Sequence, residues 1–174
     1  GVRATSAMLV DLCGNVLEIK QAAQTAENGE AVLRSVVIAI EGVLDAARNR
    51  QTELRGIVVG IPGIVQNPEG YVRDAPGLDD WVGRDIRGEL HRRFGLSVFI
   101  ENDVNLNALG ELGFGAARGY DTAVSFIVGR GLGAGIILNG SLYHGTHYAA
   151  GEVGYMPSDT GAVGREHGDI GRIF

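Results

Sequence analysis

The chain has 174 residues, 45% hydrophobic and 21% charged, with a formal net charge of −6 and one cysteine, Cys13. That balance suits a packed globular core and excludes a membrane span, because no apolar run approaches the roughly 18–20 residues that a bilayer requires. It also excludes this segment as the part that grips nucleic acid, since phosphate contacts need clustered Lys and Arg, and a lone cysteine forms no internal disulfide.

In chain order, residues 4–12 run apolar through Ala7-Met8-Leu9-Val10, Asp11-Leu12-Cys13-Gly14-Asn15 reads as a turn, and Val16-Leu17-Glu18-Ile19 as a second strand. Residues 29–49 carry Val32, Leu33, Val36, Val37, Ile40, Val43 and Leu44 at spacings of three and four, which predicts a long amphipathic helix. Residues 54–61 form a compact apolar strand closed by Pro62-Gly63. Residues 64–80 carry turn chemistry, and long ordered loops tend to be functional. Asp80-Trp81 precedes a second helix over about 83–94, ended by Gly95. Its basic stretch, residues 87–93 with His91-Arg92-Arg93, reads as a solvated helix face. Ser97-Val98-Phe99-Ile100 is a short buried strand running into Glu101-Asn102-Asp103, and a third helix covers about 104–113.

Glycine stands out at 28 residues, most of them from Gly110 onward. Residues 122–128 form a strand, and Gly129-Arg130-Gly131-Leu132-Gly133-Ala134-Gly135 a glycine loop. Ile136-Ile137-Leu138 and Ser141-Leu142-Tyr143 then flank Asn139-Gly140, a strong type I′ hairpin signal. Residues 144–174 read as irregular. Strands alternating with helices indicate an α/β architecture, and the opening hairpin makes its sheet mixed. The chain begins at the edge of a strand and stops at Ile173-Phe174 without a terminating signal, so it is expected to be a piece of a longer protein. Gly1-Val2-Arg3-Ala4-Thr5 lacks the pattern of a secretory signal; with a single cysteine, a reducing cytoplasmic setting is expected.

Three places can carry chemistry. Asn102 and Asp103 close a buried strand at the entrance to a helix, where open α/β sheets bind ligands. Position alone favours helix capping, which needs only one residue. As a ligand site, the Asp103 carboxylate would accept a proton from a sugar hydroxyl and the Asn102 amide would fix neighbouring hydroxyls. Gly131, Gly133, Ala134 and Gly135 offer backbone N–H groups to phosphate oxygens, or close strand packing in a hairpin; they match neither a Rossmann nor a Walker pattern. Glu152, in Gly151-Glu152-Val153-Gly154-Tyr155, is either solvated or a second hydroxyl acceptor. His91, His144, His147 and His167 show no ligand spacing with cysteine, and no metal site is expected from them.

Taken together in this order, Gly60-Ile61-Pro62-Gly63-Ile64-Val65 through Asp80-Trp81, Ile100-Glu101-Asn102-Asp103-Val104-Asn105, Gly110-Glu111, the residues 131–136, and Gly151-Glu152-Val153-Gly154 resemble the ROK family (repressor, open reading frame, kinase). The opening residues look like the segment just after that family's first phosphate-binding strand. The resemblance covers nearly the whole chain. It implies an actin-like ATPase (ribonuclease H-like) fold, a mixed sheet with helices on both faces, and two lobes around a cleft. The expected lobes are 1–102, lacking the first phosphate motif, and 103–174, the start of the C-terminal lobe.

The resemblance also assigns roles. Asn102, Asp103 and Glu152 would hold sugar hydroxyls, with Tyr155 at the neighbouring sugar-contact position. Asp103 would be the catalytic base of a kinase, and residues 131–135 the second phosphate loop. Several departures weigh on the choice of role. The first phosphate motif, an Asp-Gly-Gly-Thr-like turn that helps place Mg²⁺, is absent. Arg130 stands where Thr is usual, Tyr155 replaces a histidine that ligates zinc, residues 160–174 carry no cysteine cluster, and Gly77 follows Pro76 where Asn is common. These favour a sugar-binding effector domain of a transcriptional regulator whose DNA-binding region lies outside this chain. No cofactor is certain on that reading, and zinc is not expected. The alternative is an ATP-dependent sugar kinase of the glucokinase type, using ATP and Mg²⁺. A sugar or sugar derivative is the expected partner in either case, with no membrane; a homodimer is compatible.

Overall fold

The computed structural model describes residues 4–23, 28–129 and 131–156. The chain forms two compact units, residues 1–59 with 67–100, and residues 60–66 with 101–174. Among the described residues no helix is long and apolar enough to cross a membrane.

The first unit opens with β1 (Ala4–Val10) and β2 (Val16–Ala23), an antiparallel hairpin with Met8 opposite Ile19 and a register shift between Leu9 and Val10. Its turn is organised by Asp11, whose carboxylate accepts from the backbone N–H of Cys13 and Asn15, each at 2.9 Å, and from the Asn15 side-chain amide at 2.8 Å. A short carboxylate bonding backbone two residues on is the reason Asp nucleates turns. Helix α1 (Gly29–Asn49) has the expected bounds. Asn28 caps it by accepting from Ala31 N–H at 2.9 Å. Its buried face runs Val32, Val36, Ala39, Ile40, Val43, Ala47, the three-and-four spacing of one helix stripe. Val43 and Ala47 close over Leu9 on the hairpin, with Ala7, Leu17 and Leu54 packed alongside.

Helix α2 (Ile86–Phe94) begins later than its residue pattern suggests, because Asp85 takes the cap position and accepts from Gly88 N–H at 2.8 Å. It ends where Gly95 adopts a left-handed conformation, φ 68°. Its basic residues face outward: Arg93 pairs with Glu41 at 2.8 Å, Arg92 with Asp85 at 3.4 Å, and Arg87 donates to the Pro68 carbonyl at 2.8 Å. The turn-rich stretch 64–80 contains two short strands, β4 (Ile64–Gln66) and β5 (Tyr71–Asp74), then a 3-10 turn at Asp79–Trp81. Three- and four-residue strands between Pro and Gly leave no readable period, which is why that stretch looks like loop alone in the sequence.

Strands β3 (Ile57–Ile61) and β6 (Val98–Asn102) pair with one another. Val59, Ile61, Val98 and Ile100 are buried while Val58 and Phe99 are exposed, the period of two expected of a strand with one covered face. In the second unit, helix α3 (Asp103–Phe114) follows β6 directly. It packs on an antiparallel sheet of β7 (Ala123–Val128), β8 (Leu132–Leu138) and β9 (Ser141–Leu142). The β8–β9 turn holds Asn139 at φ 53° and Gly140 at φ 71°, as a type I′ turn requires.

Candidate functional site

The site residues expected from the sequence all fall in the second unit, with Asn102 and Asp103 at the junction of β6 and α3. Asn102 is the N-cap of α3: its Oδ1 accepts from Val104 N–H at 2.8 Å and Asn105 N–H at 3.0 Å, and its Nδ2 donates to the Gly63 carbonyl at 2.8 Å. The side chain is buried. Its amide is therefore engaged at both ends, with one N–H of the Nδ2 group left over for any ligand. Asp103, the first residue of the helix, is exposed, and its Oδ1 accepts from Val104 N–H at 2.9 Å. Burial and exposure thus divide the pair. Asn102 carries the cap, and Asp103 presents a carboxylate at the positive end of a helix, where a negative charge is stabilised.

Gly60, at the end of β3, forms a wall of this corner. A Cβ there would stand 3.0 Å from the Leu106 side chain and 3.6 Å from the Asp103 Cα, so the strand comes as close to α3 as a glycine allows.

The glycine-rich stretch is shorter as a loop than its composition suggests. Residues 132–135 lie within strand β8. A Cβ on Gly133 would meet Val104 at 2.8 Å, and one on Gly135 would meet the Val104 carbonyl at 2.8 Å and the Ala108 Cβ at 2.5 Å. These two glycines let β8 lie against α3. Ala134 is buried, and its N–H bonds to the Gly151 carbonyl at 2.8 Å. Ahead of the strand, Gly129 N–H bonds to the Gly131 carbonyl at 3.0 Å. Gly131 has open space around it; Arg130 lies outside the described residues.

Glu152 is half-buried and starts a 3-10 turn, Val153–Tyr155. Its carbonyl accepts from Tyr155 N–H at 3.2 Å, and its own N–H reaches the Ala149 carbonyl at 3.4 Å. Tyr155 is 40% exposed. Among the described residues no three of His, Cys, Asp and Glu stand together as a metal-ligand set. Residues 160–174, the region compared with the family's cysteine cluster, and His167 lie outside the described residues, as do Gly1, Val2 and Arg3.

Two functional candidates escaped the sequence reading. Glu101, buried at the end of β6, accepts through Oε1 from Asn102 N–H at 2.8 Å and Asn105 Nδ2 at 3.0 Å. Its Oε2 lies 2.9 Å from His144 Nε2. The signal for Glu101 was a charge ending an otherwise apolar strand, with Asn105 four residues on. His144 carried no comparable signal, because its partner is 43 residues away.

The chain is similar to proteins of both kinds in one family. The model of the ROK family matches residues 1–171. A putative xylose repressor of Caldicellulosiruptor sp. is 36% identical over 160 residues, covering 91% of this chain and 40% of that protein. A ROK glucokinase from Streptomyces griseus, in complex with glucose and AMPPNP, superposes with a TM-score of 0.80 at 29% identity, covering 90% of this chain and 48% of that one. A ROK transcriptional regulator, a homologue of the E. coli MLC protein, superposes equally well, TM-score 0.80 at 26% identity over 98% of this chain and 43% of that one. The chain thus spans less than half the length of these relatives, and its fold is that of their actin-like ATPase class. By its sequence and its fold, this chain belongs to the ROK family.

Proposed function

We propose that this chain is part of the sugar-binding effector domain of a ROK transcriptional regulator. The observation that carries the sugar-binding reading is the corner at the β6–α3 junction: the exposed Asp103 carboxylate beside a buried, anchored Asn102. A carboxylate beside an anchored amide on a rigid scaffold can hold vicinal hydroxyls. Glu152 and Tyr155 belong to the same unit and are the further candidates for sugar contact. The regulatory half of the reading is supported by Tyr155 in place of the histidine implied by the family resemblance, by Arg130 in the glycine turn, and by the similarity to xylose repressors. Sugar binding would bias a DNA-binding region outside this chain. The setting would be cytoplasmic, and a homodimer is compatible.

A second reading is favoured by one feature. Asp103 stands exposed at a helix N-terminus, as a general base toward a sugar hydroxyl would. On that reading the whole protein is an ATP-dependent hexose kinase. The Gly129–Gly131 turn would then approach the phosphates, and bound Mg²⁺ would offset their charge.

The test uses the full-length protein with ATP, Mg²⁺ and a panel of hexoses and pentoses, following ADP release and thermal shift. A sugar that raises the melting temperature without turnover is the result expected. Turnover that collapses in Asp103→Asn would overturn the regulator reading in favour of the kinase. No shift and no turnover with any sugar would overturn both.

A further inference from the structure

The loop that carries Glu152 is a small structure in its own right. Between Tyr143 and Tyr155 the backbone takes positive φ at Gly145 (72°), Tyr148 (59°) and Gly151 (86°), and Ala150 N–H bonds back to the His144 carbonyl at 3.0 Å. The His144 ring lies 5.9 Å from that of Tyr148, tilted by 55°, so the imidazole is supported from within the loop. Two of the contacts between this folded loop and the rest of its unit bear on the site. One is backbone to backbone, from Ala134 N–H to the Gly151 carbonyl. The other is the His144–Glu101 contact, 2.9 Å, with both side chains largely buried.

Glu101 is the junction of three elements. One carboxylate oxygen takes the N–H of Asn102 on the strand and the side-chain amide of Asn105 on α3, and the other takes the loop's imidazole. A buried carboxylate needs this many donors. Asn102 is held in turn by its bonds to Gly63 and α3. The backbone that sets Asp103 and the loop that sets Glu152 are therefore connected through the Glu101 side chain.

We propose that His144 is a positioning residue of the sugar site, holding the Glu152 loop in register with Asn102 and Asp103 through Glu101. This rests on the sugar-binding reading above. With the His144 anchor removed, the loop loses its tie to Glu101 and is held less firmly in that register. Binding would suffer because the sugar must then order the loop itself.

The experiment measures sugar dissociation constants by calorimetry on the full-length protein, with the ligand-free melting temperature recorded for each variant. The set is wild type, Asp103→Asn, His144→Ala and His144→Gln. Glutamine at 144 keeps an N–H donor within reach of Glu101. Wild type is expected to bind, and Asp103→Asn to lose binding. His144→Ala should weaken binding about tenfold or more, the usual cost of a lost hydrogen bond to a charged group. His144→Gln should restore most of that loss, and rescue is the readout that a merely structural histidine would not give. If wild type binds and Asp103→Asn loses binding while His144→Ala binds as wild type, the positioning role is overturned and the site reading stands. Failure of glutamine to rescue overturns it too, pointing instead to direct sugar contact by the imidazole or to a general loss of fold, which the melting temperatures separate. If wild type binds no sugar, or Asp103→Asn binds unchanged, the site reading itself has failed.

Discussion

The indole Nε1 of Trp81 donates to the carbonyl of Gly29, 52 residues earlier, at 2.9 Å, with the tryptophan fully buried. The preceding residue, Asp80, accepts from the N–H groups of Gly29 and Glu30 at 2.9 and 3.0 Å. The 3-10 turn therefore supplies a second cap for α1 besides Asn28, and Gly29 is the residue whose missing side chain lets both groups reach the helix. Helix N-termini leave N–H groups unsatisfied, and here a distant segment satisfies two of them.

This pairing makes Trp81→Phe costly. The substitution removes the indole donor from the buried Gly29 carbonyl and opens a cavity where the indole was. A loss of about 2–4 kcal/mol is expected in urea unfolding. Asp80→Ala should cost about 1 kcal/mol, as other lost caps do, because Asn28 remains. Equal effects from the two would mean that the indole bond contributes nothing beyond the cap.

Asn102 and Asp103 should separate in the same assay. Asn102→Ala removes the cap of α3 and the bond to Gly63, with an expected loss of about 1–3 kcal/mol. Asp103→Asn alters an exposed side chain and should change stability by no more than about 0.5 kcal/mol. Comparable losses would show that Asp103 has a structural role beyond its exposed carboxylate.

Glycines of the second unit should divide by what surrounds them. Gly135→Ala drives a methyl group into Ala108 and the Val104 carbonyl and should destabilise by about 1–3 kcal/mol. Gly110→Ala, in α3 with open space around it, should stabilise by roughly 0.5–1 kcal/mol through helix propensity alone. The same sign of change at both positions would contradict the packing of β8 on α3.

Arg84 joins α2 to α1, with two bonds of 2.7 Å to Glu89 and one of 2.8 Å to Glu30. The hydrogen bonds from Arg84 hold the Glu89 carboxyl below its ordinary range and the guanidinium above its own. A carboxylate depressed in the folded state contributes stability above its unfolded pKa, about 4.3, and loses it as pH falls through the folded value. Melting temperature should therefore fall more steeply with acid for wild type than for Glu89→Gln. The difference near neutral pH should be no more than about 1 kcal/mol, since the pair is partly solvated. Parallel curves would mean that the pair adds nothing.

Much of the fold was readable before any coordinates because its signals are local. The three-and-four spacing of Val32, Val36, Ile40 and Val43 marks α1, Gly95 marks the end of α2, and Asn139-Gly140 marks the β8–β9 turn. Each depends on backbone sterics within a few residues, so neighbouring letters suffice. The Asn102-Asp103 corner was legible for a similar reason: polar residues end an apolar strand at a helix start. The two strands within 64–74 were missed because strands this short have too few alternations to show a period.

The chain's order of residues by itself determined the helices, the hairpins, the family and the candidate carboxylates. Only the tertiary structure decided which glycines serve packing, which member of the Asn102–Asp103 pair is the cap, and which residues secure the Glu152 loop. Gly133 and Gly135 lie in β8 close against α3, a contact the sequence does not show. Glu101 and His144 lie 43 residues apart, and Trp81 and Gly29 52 apart. No local preference encodes such pairs, because they form only when packing brings separate elements within hydrogen-bond distance.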